Sequence, residues 1–177
     1  MSQDPVRLGS GAGRLPPDAA RVLSVALVTR LVAVAERFDV PLRSLVLAAF
    51  CSSWAQVTGV TDVETGLIRD RPGMTEVLAI RVATAGLGWQ RLAVELHETE
   101  LDAKPAGHEQ PVTVGFAGQF TPDAPDGLPV LVEFHRRPVG GELAVEIRVS
   151  PPVDREIAVT LAEAVETALR TVSHLGG

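Results

Sequence analysis

The stretch PLRSLVLAAFCSSWAQVTGVTDVETGLIRDR, residues 41–71, limits what this chain can fold into more than any other. Leu42, Leu45, Val46, Ala49, Phe50, Ser53 and Trp54 recur at the three-and-four spacing of one helical face, which predicts a helix largely buried against a sheet. Pro41 suits its first turn, where a missing N–H costs nothing, and Gly59 stops it. Asp62, Val63, Glu64, Thr65, Gly66, Leu67 and Ile68 then loosely alternate polar and apolar residues before a charged turn, the pattern of a strand lying beside the helix just finished. A long apolar helix feeding one strand is the expected core.

Around this centre the chain reads as helices and strands in mixed order. Residues 1–18 are rich in Gly, Pro and Ser and have no period, so a flexible leader is expected there and a single domain over residues 19–177. The β-branched residues of RVLSVALV, 21–28, suggest a strand, with Thr29 capping a helix to Phe38; a continuous helix from Asp18 is the alternative. After the turn at 69–73, residues 76–82 alternate like a second strand, and Trp89, Leu92, Ala93 and Leu96 restore helical spacing, with Glu95, Glu98 and Glu100 expected to face water. Residues 111–116 form a short strand and 122–127 a surface loop. Residues 128–137 and 142–149 read as a hairpin closed by Pro138, Val139, Gly140 and Gly141. Asp154 then caps a last amphipathic helix through Ile157, Leu161, Val165, Ala168, Leu169 and Val172. The fold class is α/β, a mixed sheet with helices packed mainly on one face.

Charge and composition narrow the functions open to such a domain. A net charge of −6 and the lack of a basic cluster argue against a nucleic-acid partner. No apolar run reaches the roughly 20 residues that cross a bilayer, and no basic segment followed by an apolar one marks the N-terminus, so no membrane partner and a cytoplasmic location are expected. Tyr and Asn are absent, which removes a phenolic acid and one amide oxyanion donor. Cys51, the single cysteine, sits on the apolar helix as a buried thiol rather than a nucleophile.

The histidines are the remaining candidates for catalysis, and each is isolated. His108 lies between a glycine and two polar residues with Glu109 beside it, but no orienting carboxylate is recognisable, which favours a structural or solvent-facing role. His135 shares a strand face with Glu133 and Arg137, a polar face by pattern. His97 has Glu100 three residues on, two ligands without a third, so no metal or other cofactor is expected. The turn cluster Arg69, Asp70, Arg71 could hold an acidic group, although an internal ion pair is the favoured reading. Ser24, Ser44, Ser52 and Ser53 lack the Gly-x-Ser-x-Gly surround of a nucleophile, and no Gly-rich loop with a phosphate-binding lysine occurs. A groove at the sheet edge near Val77 and Val82, or a buried His108, would mark a site.

The stretch LVTRLVAVAERFDVPLRSLVLAAFCSSWAQVTGVTDVETGLIRDR, the word Ala106-Gly107-His108-Glu109-Gln110-Pro111 and the strand Val112-Thr113-Val114-Gly115-Phe116 together resemble the C-terminal half of a condensation domain of nonribosomal peptide synthetases, a relative of chloramphenicol acetyltransferase. The resemblance spans residues 22–174, with the His108 word similar to the family's His-Gln-Asp-x-Pro-Phe. It implies a chloramphenicol acetyltransferase-like half-domain in nonribosomal peptide or antibiotic biosynthesis, whose partner is a pathway synthetase, a carrier protein or a second copy of the chain. The family's catalytic word HHxxxDG does not occur in the sequence, and no two histidines are adjacent. The expectation is therefore a noncatalytic accessory protein. The alternatives are a small acyltransferase using His108 or His135 in a cleft formed at an interface, or a small-molecule binding module.

Overall fold

The computed structural model describes residues 19–71, 74–105, 113–117, 132–139, 142–149 and 154–176. Six strands form one sheet in the order β1 (Ala19–Leu23), β6 (Glu142–Val149), β5 (Val132–Val139), β4 (Thr113–Ala117), β2 (Asp62–Arg71), β3 (Met74–Ala83). β4 runs parallel to both of its neighbours, and the remaining pairs are antiparallel, so the sheet is mixed. Four helices, α1 (Val25–Phe38), α2 (Leu42–Thr58), α3 (Trp89–Asp102) and α4 (Arg155–Ser173), pack against it mainly on one face, followed by a short 3-10 helix at His174–Gly176. The expected leader, the loop at 122–127, the hairpin glycines 140 and 141, and His108 lie outside the described residues.

The central helix forms as expected, yet its surroundings differ from those its spacing suggests. Every residue from Ser44 to Cys51 is buried, and so is Ser53, so no side of its middle turns meets water. A helix apolar all round is the kind a protein encloses rather than lays on a surface. α2 sits between α3 and α4, touches α1, and meets the sheet at β2, so helices rather than strands supply most of its walls. Its small residues Ala48, Ala49 and Cys51, none with measurable exposure, let those neighbours approach closely. Pro41 occupies the cap position, and Gly59 ends the helix in the left-handed region at φ 75°, its N–H donating to the carbonyl of Ala55. A β-carbon disfavours that backbone, which is why glycine serves there.

Flanking elements depart from the sequence expectation in their ends. Residues 19–23 form a strand that pairs with β6, and Ser24 caps α1, its Oγ accepting from the Leu27 N–H at 3.3 Å. Thr29 therefore lies inside the helix, its hydroxyl donating back to the Val25 carbonyl at 3.0 Å. Arg69, Asp70 and Arg71 belong to β2, where their backbone pairs with Glu76, Thr75 and Met74, so they extend the strand rather than form the expected turn. The inner face of that hairpin stacks Val63 against Val82, Thr65 against Ile80 and Leu67 against Leu78, all buried. On its outer face Arg81 binds Asp62 and reaches Glu64 at 3.3 Å. α4 is capped by Asp154, which accepts from the Glu156 N–H at 3.0 Å. Leu161, Val165, Leu169 and Val172 are fully buried on its inner stripe, whereas Ile157, one turn earlier, is 40% exposed.

Candidate functional site

Helix α3 organises the region where sequence and structure converge. Leu92, Ala93 and Leu96 face the core, and Glu100 continues that stripe at the four-residue spacing of a helix. Glu100 is consequently buried, at 1% exposure, which corrects the expectation that it faces water with Glu95 and Glu98. Its charge is met by Arg43 at the start of α2, whose Nε donates to the two carboxylate oxygens at 2.9 and 3.0 Å. The pair ties the C-terminal end of α3 to the N-terminal end of α2. It also removes Glu100 as a metal ligand for His97, and no group of three or more His, Cys, Asp or Glu suited to a metal occurs among the described residues.

The other candidates do not assemble into a catalytic arrangement among the described residues. His97 is half-buried, and its Nδ1 is enclosed without a hydrogen-bond partner, so no carboxylate orients it as a base. Ser44 and Ser53 are buried in α2 with their hydroxyls unpartnered, and Ser24 serves as a helix cap. Burial pushes the Cys51 thiol up to about 12, which keeps it protonated and inert as a nucleophile. His135 lies on β5 opposite Ala117 of β4 and Glu146 of β6, towards the middle of the sheet. His174 is exposed at the end of α4.

Two depressions flank α3 instead. One, of about 940 Å³, opens between the end of α1, the first turns of α3 and the C-terminal 3-10 helix, with Phe38, Trp89, Val94 and Leu175 as apolar walls and Arg37 and Arg91 at its rim. Its walls come from three segments distant in sequence, so no local pattern announced it; the half-exposed Trp89 beside the uncapped Gly88 is the one trace it leaves. The other, of about 720 Å³, opens at the sheet edge between α3 and β3, beside Val82. Ala79, Arg81, Val82 and Ala83 line its strand side, and Glu95, Glu98, Thr99 and Asp102 its helix side. The carboxyl of Asp62, on the outer face beside this edge, is held below the usual carboxylate range, first by the hydrogen bond from Arg81 and then by its charge. The geometry described around α3 is that of two open grooves.

No family model matches the sequence, and no curated protein matches it. Solved structures do match the fold. The EpoB nonribosomal peptide synthetase cyclization-docking bidomain from Sorangium cellulosum superposes with a TM-score of 0.65 at 14% identity, over 90% of this chain and 44% of that chain. The epimerization domain from the third module of tyrocidine synthetase B gives 0.64 at 12% identity, over 89% of this chain and 48% of the other. The first condensation domain of the CDA synthetase gives 0.60 at 16% identity, over 96% and 47%. The chain thus spans less than half the length of each of these relatives. Likeness at this level establishes the fold: the molecule has the chloramphenicol acetyltransferase-like architecture of condensation, cyclization and epimerization domains, and a C-terminal half-domain fits the extent of the match.

Proposed function

We propose that this chain is a noncatalytic, condensation-domain-like half that acts by protein contact in nonribosomal peptide or related antibiotic biosynthesis, in the cytoplasm. The observation that carries this reading is the unequal coverage of the fold match: nine-tenths of this chain against less than half of each neighbour. A fold assembled from two halves presents, on either half, a face suited to being covered, and such faces are where partners bind. The missing HHxxxDG word supports a role without its own condensation chemistry. Among the described residues no helix is long and apolar enough to cross a membrane, in keeping with partners in solution. The partner is a pathway synthetase, its carrier protein or a second copy of the chain, and this chain supplies one wall of a shared acyl-substrate channel when the partner brings the histidine half.

An amide-forming assay tests the noncatalytic part of this reading. Incubated alone with an acyl-pantetheine thioester and an amine, the purified protein is expected to form no amide above the uncatalysed background. His108→Ala and His135→Ala variants are expected to support their synthetase as well as the parent does. Amide formation by the isolated chain, abolished by either substitution, would establish an acyltransferase instead.

A further inference from the structure

Among the described residues β3 is the last strand of the sheet, and no described strand lies beside the outer side of its backbone. The antiparallel register with β2 and the Thr84 N–H donating to the Thr61 carbonyl at 2.8 Å fix which residues point outward: residues 80, 82 and 84 bond towards β2, and 79, 81 and 83 point away. Ala79 confirms the direction, since its N–H is taken at 3.2 Å by the carbonyl of Lys104, just after α3, beside the bridge between Leu78 and Pro105. Beyond that bridge the N–H and C=O groups of Arg81 and Ala83 have no partner among the described residues, and they open onto the 720 Å³ groove beneath α3. Proteins usually cover or blunt such an edge, because it is a template for another strand.

We propose that the β3 edge and α3 form a docking groove for an extended, basic segment of a partner protein, added to the sheet as a seventh strand. Charge selects the occupant. Glu95, Glu98 and Asp102 line the helix wall. Glu95 is engaged by Arg91 at 3.1 Å, whereas Glu98 and Asp102 make no ion pair among the described residues. Of the cations in the groove, Arg81 is already held by Asp62 and Glu64, which leaves Lys104 against two unpaired carboxylates. A strand laid along β3 sends alternate side chains to alternate faces. Those level with Ile80 and Val82, which face the helices, meet the α3 wall and are therefore basic; those level with Arg81 face outward and are neutral. The free edge, residues 80–83, is roughly 14 Å long at 3.4 Å per residue, and main-chain bonds supply affinity while the α3 carboxylates supply specificity.

The test uses the intact protein and a fluorescein-labelled peptide of alternating lysine and threonine, seven residues long, followed by anisotropy at low salt. Saturable binding is expected, at least tenfold weaker for a glutamate-threonine peptide and for the Glu98→Lys/Asp102→Lys variant, whose fold is checked by circular dichroism. N-methylation of the alternate amides that face β3 is expected to abolish binding, and methylation of the other set to leave it unchanged. Equal losses from both methylation patterns would overturn strand addition, as would the absence of saturable binding to the parent protein. A copy of the chain already occupying the edge, seen as a dimer that peptide does not dissociate, would overturn the basic partner as occupant.

Discussion

Glu100 is the residue whose environment asks most of its neighbours. Glu100 is a carboxylate at 1% exposure, and Arg43 donates to its two oxygens from a half-exposed position. Breaking such a buried ion pair by removing one member costs about 3–5 kcal/mol. Arg43→Met is accordingly expected to lower unfolding free energy by about that amount in urea denaturation, and the Arg43→Met/Glu100→Met double variant to recover most of it. A single variant as stable as the parent would show that the pair does not hold the charge. At the exposed Asp62 the consequence is one of pH. Because Arg81 lowers its folded pKa, the unfolded chain binds that proton more readily; the stabilisation is present above the unfolded value of about 3.9 and is lost as pH falls through the lower folded value. Carboxyl NMR titration is expected to place the Asp62 midpoint below that of an unpaired aspartate and to restore it in Arg81→Ala.

At the scale of elements, the enclosure of α2 makes size the sensitive variable. Ala48 has no measurable exposure and helices on several sides, so Ala48→Leu is expected to cost about 1–3 kcal/mol by overpacking. Phe50→Ala is expected to cost about 3–5 kcal/mol through lost burial and the cavity left behind. Ile157→Ala, on the exposed first turn of α4, is expected to stay within about 0.5 kcal/mol, all three read from urea midpoints at constant slope. Local pattern carried much of this level. The three-and-four spacing located α2, α3 and α4, and alternation located β2, β3, β5 and β6. Pairing was less legible, because β4 lies between β2 and β5 through parallel contacts that no local pattern encodes. The same limit hid the Arg43–Glu100 pair: Glu100 could have been placed on the Leu92–Leu96 stripe by spacing alone, but its partner lies 57 residues away in sequence. The β-branched run before Thr29 suggests a strand capped there, whereas the strand stops at Leu23 and Ser24 takes the cap. Of the candidate site, the order of elements points to a sheet edge near Val82 but not to whether a groove opens there, and it leaves no sign of the cleft beside Trp89.

Across the whole molecule, the fold likeness includes almost all of this chain and less than half of each neighbour. The central claim is that the chain works by completing or contacting another protein, and solution mass measured by light scattering tests it most directly. The purified protein is measured alone, then mixed with its pathway synthetase and with that synthetase's carrier protein. The predicted result is a mass that rises to a stoichiometric complex with one of these, or a stable dimer formed by the chain itself. A monomer whose mass never changes with any of them would contradict the claim and leave a small-molecule binding module as the better description.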